Sequence, residues 1–546
     1  MRVFPDYRQA DYVTFENQNI RHMKKGLIFI VTFFIFSFAF GQNQNISEGV
    51  VFDGEPYLCV NSQNLQKITV VWMGYIPYVT KIVLKLRMSS DGGQTWSDKV
   101  YIPHVNPDYG SADPSLAYDN SGNLFLSYID FDKVTDAGAV YVRKSTDNGL
   151  TWGEATEVIN INSDGDQHPV DRPWISIDRS GGTYDGNIYV TSMPPNIFGP
   201  IPPPYHPYFI KSVDTGNSFE PYRYLDTLNW FAGSYIQQPM PTHCVSSDGT
   251  FYAVYPSYVY SQNPLAQFII ASSEDAGNSF TYHSVFSSAE GITDTLVKAG
   301  YLLRSDPVNS EHLAFFYLGL TYGDIDVFLR ESYDKGITWS DEIRLNDDPV
   351  ENNRIQDLLW ADFNIDGDLI VSWRDRRNGT DTTYETASEI WGTYRKHNAS
   401  GFSENFEISD ALVPYDTILA YNGNDFMCTK LVNDTLYSVW GDTRNGKLNI
   451  WFAKKTIDGT ILSLKQLSSE EMPKIEIFPN PFVFEINIKA KDVREVVIFN
   501  QEGRQIFASQ NYLNKIKLNF LPPGSYYIKI ITSAGSYLRK IIKTSD

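Results

Sequence analysis

The chain has 546 residues, 45 Lys and Arg against 65 Asp and Glu, and a formal net charge of −20. Its length holds two to four domains, or one large β architecture with an accessory domain, and its 42% hydrophobic content excludes global disorder. An acidic chain lacks the basic face that neutralises phosphate, which excludes nucleic acid as a partner, and three cysteines close at most one disulfide.

In chain order, the first feature is Lys24-Lys25, an apolar run from Leu27 to Phe40 broken only by Thr32 and Ser37, and small residues at Ala39 and Gly41. Positive charge, a short hydrophobic segment and small residues before a cut make a secretory signal peptide. Met23 is the expected start, with cleavage near Gly41–Gln42, so residues 1–41 are an N-terminal extension and signal. The run is shorter than the roughly 20 residues of a membrane span, and no later stretch is longer, so the mature protein is expected to carry no transmembrane segment.

A repeat comes next. Ser-x-Asp-x-Gly-x-Thr/Ser-Trp/Phe occurs at Ser89–Trp96, Ser145–Trp152, Ser212–Phe219, Ser273–Phe280 and Ser332–Trp339, with Asp91, Asp147, Asp214, Asp275 and Asp334 spaced 56, 67, 61 and 59 residues apart. Asp accepts hydrogen bonds from its own turn, Gly supplies positive φ, and the aromatic residue packs beneath the hairpin. These aspartates are therefore structural. Worn copies stand at 397–402 and 456–460. Each box is preceded by two apolar runs joined by a polar turn: 57–72, 114–128, 173–191, 240–255, 301–317, 358–373 and 426–440. Four strands per period predict an all-β protein, a seven-bladed β-propeller, with six blades as the alternative count because two boxes are degenerate.

These boxes, with the strands Asp113-Pro114-Ser115-Leu116-Ala117-Tyr118-Asp119 and Asp171-Arg172-Pro173-Trp174-Ile175-Ser176-Ile177-Asp178, resemble the sialidase (neuraminidase) superfamily, the BNR-repeat proteins. The resemblance covers about residues 45–468 and assigns 42–470 to the propeller. It implies action on extracellular carbohydrate, with three arginines on a substrate carboxylate, a Tyr nucleophile paired with an acid, and an Asp as acid/base. The family's first Arg lies in Arg-Ile-Pro on the first strand; here that strand reads Tyr57-Leu58-Cys59-Val60, and no Arg stands between Ser47 and Lys85.

After Pro473 short alternating strands are expected at 475–478, 485–490, 495–500, 516–518, 525–532 and 537–543, a small Ig-like β-sandwich in a domain of residues 471–546. Phe478-Pro479-Asn480-Pro481, Asn500–Arg504, Leu521–Tyr527 and Lys540-Ile541-Ile542-Lys543 resemble the C-terminal sorting domain of the type IX secretion system of Bacteroidetes. That resemblance implies transit of the periplasm and outer membrane, a secreted or cell-surface location, and the secretion machinery as a partner.

Blade topology puts the boxes on one side of the disc. Residues leading into the first strand of each blade, or leaving the second, gather on the other, where loops on a rigid scaffold carry function. Asp113, Asp171-Arg172 and Arg354–Asp357 lead in; Asp130, Trp373-Arg374-Asp375-Arg376-Arg377 and Trp440-Gly441-Asp442-Thr443-Arg444 lead out. A carboxylate two residues from a guanidinium orients a sugar or an anion, or else braces neighbouring blades by an ion pair. Asp171 and Asp375 are the catalytic candidates, and Arg172, Arg354, Arg377, Asp442 and Arg444 the substrate-binding ones. The eight His show no ligand spacing and no phosphate loop is present, so neither metal nor cofactor is expected. The proline-rich 194–207 stretch is either a rim over the cleft or an inert insertion, and Cys59, Cys244 and Cys428 are expected as buried free thiols on first strands. Two function classes stand open: a glycoside hydrolase on extracellular glycans, and a surface propeller that binds glycan or glycoprotein without turnover.

Overall fold

The computed structural model describes residues 43–76, 81–132, 134–195, 201–288, 300–415, 423–457, 475–490, 493–500, 504–509, 515–532 and 535–545; the expected signal peptide lies outside them. Among the described residues the only helical element is the single turn Gly165–Gln167. The described residues between 44 and 456 form seven four-stranded antiparallel sheets. Their first strands are Asp53–Val60 (sheet I), Gly110–Tyr118 (II), Asp171–Ile177 (III), Thr242–Val245 (IV), Tyr301–Ser305 (V), Gln356–Phe363 (VI) and Cys428–Val432 (VII). Each touches the first strand of the next sheet, and that of sheet VII touches that of sheet I, so the circuit closes.

Sheets I to VI each use four consecutive strands. Sheet VII takes its fourth from the start of the chain, where Gln44–Asn45 pairs antiparallel with Asn449–Thr456. The seam is sealed by the Asn45 amide on Asn449 Oδ1 (2.8 Å), by Ile450 N–H on Ser47 Oγ (2.9 Å), and by Ile46, which is 1% exposed.

The five intact boxes turn the third strand of sheets I to V into the fourth, and the box serine is the last residue of that third strand. In the third box Ser212 Oγ donates to Asp214 Oδ1 (2.7 Å), while Ser218 gives its N–H to Oδ1 (2.9 Å) and its hydroxyl to Oδ2 (2.6 Å). Those Ser218 bonds, with Ser212, hold the Asp214 carboxyl at about 2. The glycine also permits close approach to the preceding sheet: a Cβ on Gly277 would stand 2.3 Å from the Phe209 ring, and one on Gly93 2.5 Å from Phe452. Each box thereby fastens its hairpin to its neighbour.

The three cysteines are free and lie on the first strands of sheets I, IV and VII. Burial pushes Cys244 and Cys428 up to about 12, which leaves both as inert thiols.

The C-terminal segment forms two sheets. One holds Glu476–Phe478, Glu485–Lys489 and Lys515–Lys517; the other holds Val493–Phe499, Gln505–Ser509, Gly524–Thr532 and Gly535–Lys543. Gln505–Ser509 was not among the expected strands. Both sheets face one apolar cluster that includes Ile486, Ile516, Ile498 and Ile528. Asn480 of the Phe-Pro-Asn-Pro run ties itself to the last strand, donating to Lys540 O (3.0 Å) and accepting from Ile542 N–H (2.8 Å).

Closure by the N-terminal strand is testable. Ile46→Ala is expected to cost about 2–5 kcal/mol in chemical denaturation, as buried Ile→Ala changes do. The nearby exposed Val50→Ala is expected to stay within about 0.5 kcal/mol of the native chain. Equal midpoints for the two variants would show that the seam carries no stability.

Candidate functional site

Four first strands share a defect. Their pairing slips between Gly54 and Tyr57, Ala112 and Ser115, Asp171 and Trp174, and Asp357 and Trp360. The slipped pairs are Glu55-Pro56, Asp113-Pro114, Arg172-Pro173 and Leu358-Leu359. Proline has no N–H for the ladder, so it fits a bulge better than a regular strand. The first residue of each slipped pair stands at positive φ: 53° at Glu55, 51° at Asp113, 46° at Arg172, and 50° at Leu358. A non-glycine residue held there costs about 1–3 kcal/mol, and the four cases stand at equivalent positions of their sheets. Leu358 supplies apolar lining; the other three supply charge.

These three meet with Asp171 and Asp425. Arg172 donates to Asp425 Oδ2 (3.3 Å) and to Met240 Sδ (3.2 Å), and its backbone N–H reaches Asp113 Oδ2 (3.2 Å). Gln238 Nε2 donates to Asp171 Oδ2 (3.0 Å). Glu55 is 3% exposed and faces Asp113, Asp425 and Arg172; its Oε2 has no hydrogen-bond partner among the described residues. Burial first, then Asp113 and Asp425, pushes Glu55 well above the usual carboxyl range. Burial, then Asp113, does the same to Asp171. Four carboxyl groups thus surround one guanidinium, and two of them keep their protons into a pH range where carboxyls are ordinarily ionised.

The cluster borders a cavity of about 60 Å³ at the centre of the circuit, lined by Arg172, Asp425 and aromatic residues. Tyr57 packs on Trp360 (5.5 Å between rings) and Trp174 (5.9 Å), and Trp174 packs on Phe426 (5.1 Å). The cavity's tyrosines are not primed as nucleophiles: burial raises both Tyr57 and Tyr301, and the Tyr301 hydroxyl is spent on Met240 O (2.8 Å). Burial, then Arg304, holds His243 at about 3, so it is neutral. Arg304 lies over Trp360 (5.2 Å) and donates to Ala361 O (2.8 Å) and Leu303 O (2.9 Å). No group of three His, Cys, Asp or Glu among the described residues is arranged to hold a metal ion.

Of the residues expected from sequence, Asp171 and Arg172 fall in this cluster. Asp375, Arg377, Asp442, Arg444 and Arg354 do not. Asp375 is 1% exposed and accepts from Trp373 Nε1 (2.7 Å), Arg377 N–H (2.7 Å) and Arg377 Nε (3.0 Å). Arg377 then stacks on Trp391 (4.1 Å) and pairs with Asp347 (2.6 Å). Sheet VII repeats the pattern: Asp442 accepts from Trp440 Nε1 (3.1 Å) and Arg444 Nε (2.8 Å), and Arg444 stacks on Trp451 (4.2 Å) and pairs with Asp410 (2.5 Å). These groups are satisfied by one another, as a brace requires. Arg354 gives its N–H to Asp324 (3.1 Å) and its guanidinium to the Asp381 carbonyl. From the proline-rich stretch, His206 bonds Asp226 (2.8 Å) and stacks on Tyr224 (3.9 Å). Glu55, Gln238 and Asp425 were not expected. The signal for Glu55 was the charged residue before proline, recurring at Glu55-Pro56, Asp113-Pro114 and Arg172-Pro173.

Residues 476–544 match the family model of the secretion system C-terminal sorting domain. The chain is thus a type IX secretion substrate, exported to a secreted or cell-surface location, and no helix among its described residues is long and apolar enough to cross a membrane. By sequence, no curated protein matches it. Among solved structures it is similar to a protein of unknown function from Dyadobacter fermentans (15% identity, 65% of this chain and 99% of that one, TM-score 0.40). It is also similar to the NanB sialidase of Streptococcus pneumoniae (14%, 77% and 71%, TM-score 0.38) and to an α-L-arabinanase of Penicillium chrysogenum (13%, 77% and 97%, TM-score 0.42).

The raised carboxyl groups have a consequence for stability. Below about pH 4, Glu55 is protonated in both folded and unfolded chains and costs nothing; as pH rises, only the unfolded chain ionises, so stability falls until the folded group titrates too. Glu55→Gln removes that dependence. Its denaturation midpoint is expected to gain on the native chain between about pH 4 and pH 8. Asp375→Asn, which leaves Arg377 short of its charge, is expected to lose about 1–3 kcal/mol at neutral pH. A Glu55→Gln difference that stays flat with pH would contradict a protonated buried carboxyl.

Proposed function

We propose that the protein is an exported glycoside hydrolase acting on extracellular glycans, with its site at the Glu55–Asp113–Asp171–Arg172–Asp425 cluster. In this reading the seven sheets are the blades of a seven-bladed propeller over residues 42–470, preceded by the signal segment 1–41 and followed by an Ig-like sandwich at 471–546. The observation that carries it is a carboxyl kept protonated beside others that face a guanidinium, at an aromatic cavity. Glycosidic cleavage needs that pairing: a protonated carboxyl to donate to the leaving oxygen and an ionised one to act as nucleophile or to activate water. Asp171, half-buried and held by Gln238, serves as the acid. Asp425, half-buried and paired with Arg172, serves as the base or nucleophile. Glu55 lies deeper and keeps the acid's neighbourhood poorly solvated. Trp174 offers the ring face on which a sugar stacks. Asp375, Arg377, Asp442 and Arg444 act as braces, and Arg354 takes no part.

A second reading is favoured by the cavity's size. About 60 Å³ holds roughly two waters, so a sugar would rest at the mouth beside Asp171, Arg172 and Asp425, as in a recognition propeller without turnover. The purified mature protein, incubated with a panel of polysaccharides and oligosaccharides, separates the two. Released sugar is expected, and Asp171→Ala is expected to lower kcat/KM by about 100-fold or more, as loss of a general acid does. Retention without release would support the binding propeller. Release undiminished in Asp171→Ala would remove this site from the reaction.

A further inference from the structure

We infer that the sugar bound at this cluster carries no carboxylate, so that the protein takes uncharged glycans and discriminates against sialylated and uronate-containing ones. The inference rests on the proposed site and adds its substrate class. The charges that face the cavity carry it, because the positive ones are already spent.

Two guanidinium groups reach the cavity. Arg304 gives Nε to the Ala361 carbonyl and Nη1 to the Leu303 carbonyl and lies over Trp360. Arg172 is hemmed in by acids: it pairs with Asp425 (3.3 Å), and Asp171, Asp113 and Glu55 act on it in turn. Neither is left to form a bidentate pair with an incoming carboxylate, which is how a protein ordinarily selects such a group. His243 is buried and bonded to Thr191 Oγ1 (2.9 Å), and adds no positive charge. An acidic sugar would therefore meet Asp425 with no guanidinium of its own to pair with, and a carboxylate taken out of water without a partner binds poorly.

Hydroxyl groups meet the opposite situation. Ionised carboxyls accept from them and protonated ones donate to them, so a carboxyl at the mouth such as Asp425 engages a hydroxyl in either state. The aromatic lining supplies apolar ring faces that are indifferent to charge.

The test uses matched pairs, in which each acidic polysaccharide (polygalacturonate, alginate, a sialylated glycan) is offered as such and after chemical reduction of its carboxylates to alcohols, beside neutral polysaccharides. Binding and sugar release are measured for the mature protein and for Asp425→Asn. Wherever a pair is recognised, the carboxyl-reduced form is expected to be favoured by about tenfold or more. Asp425→Asn, whatever its effect on rate, is expected to narrow that ratio by removing one repelling charge. An acidic form preferred over its reduced partner would overturn the inference while leaving a glycan-acting site in place. Failure of every glycan, acidic or neutral, to bind or to be cleaved would overturn the proposed function and this inference with it.

Discussion

The pairing of Gln44–Asn45 with the third strand of sheet VII is the constraint on which the site depends. Glu55, Asp113 and Asp171 arrive in the first third of the chain, but Asp425 stands 370 residues after Glu55. Seven sheets in sequence would leave those two at opposite ends of a row. The circuit brings them together because sheet I packs on sheet VII and the start of the chain is built into that last sheet, with Ile46 buried and Ser47 and Asn45 bonded across the seam. The closure also orders the first box, since Trp96 donates from its indole to Gln44 (3.0 Å) and Gly93 packs against Phe452 of sheet VII.

The boxes and the braces differ from the central cluster in how their charges are treated. On the box side each aspartate accepts from its own serine and from the Ser or Thr four residues on, and its proton is released easily. The braces of sheets VI and VII are equally well satisfied, with indole, guanidinium and carboxylate bonded in a closed set. The central cluster is the exception. There the chain holds strained backbone at Glu55, Asp113 and Arg172 and crowds four carboxyls around one arginine. Strained backbone and crowded carboxyls of this kind are what single the cluster out as the candidate site.

Legibility in the sequence tracks the range of the interactions. The boxes could be read because the bonds that each box aspartate accepts fall within eight residues, and the paired strands because alternation and turn residues are local signals. The free thiols on first strands followed from the same alternation. The cluster was half legible. Asp171-Arg172 could be placed at the start of a first strand by strand order, but its partners come from other sheets, and the bulge at Glu55-Pro56 breaks the alternation that would have pointed Glu55 inward. Asp375 and Asp442 could not be told from cluster residues by sequence, because strand order gives the end of the second strand and not the bond from Trp373 or Trp440 to the carboxylate. The strand Gln505–Ser509 was passed over because it is short and only partly buried, with little apolar contrast between its faces.

The most direct measurement of the central claim is a crystal structure of the mature protein with a glycan that it recognises. The account predicts electron density at the mouth of the central cavity, a ring stacked near Trp174, and hydroxyl groups within hydrogen-bond distance of Asp171 and Asp425. Density seated instead against Arg377 and Arg444, or on the box side of the disc with the cluster untouched, would contradict it.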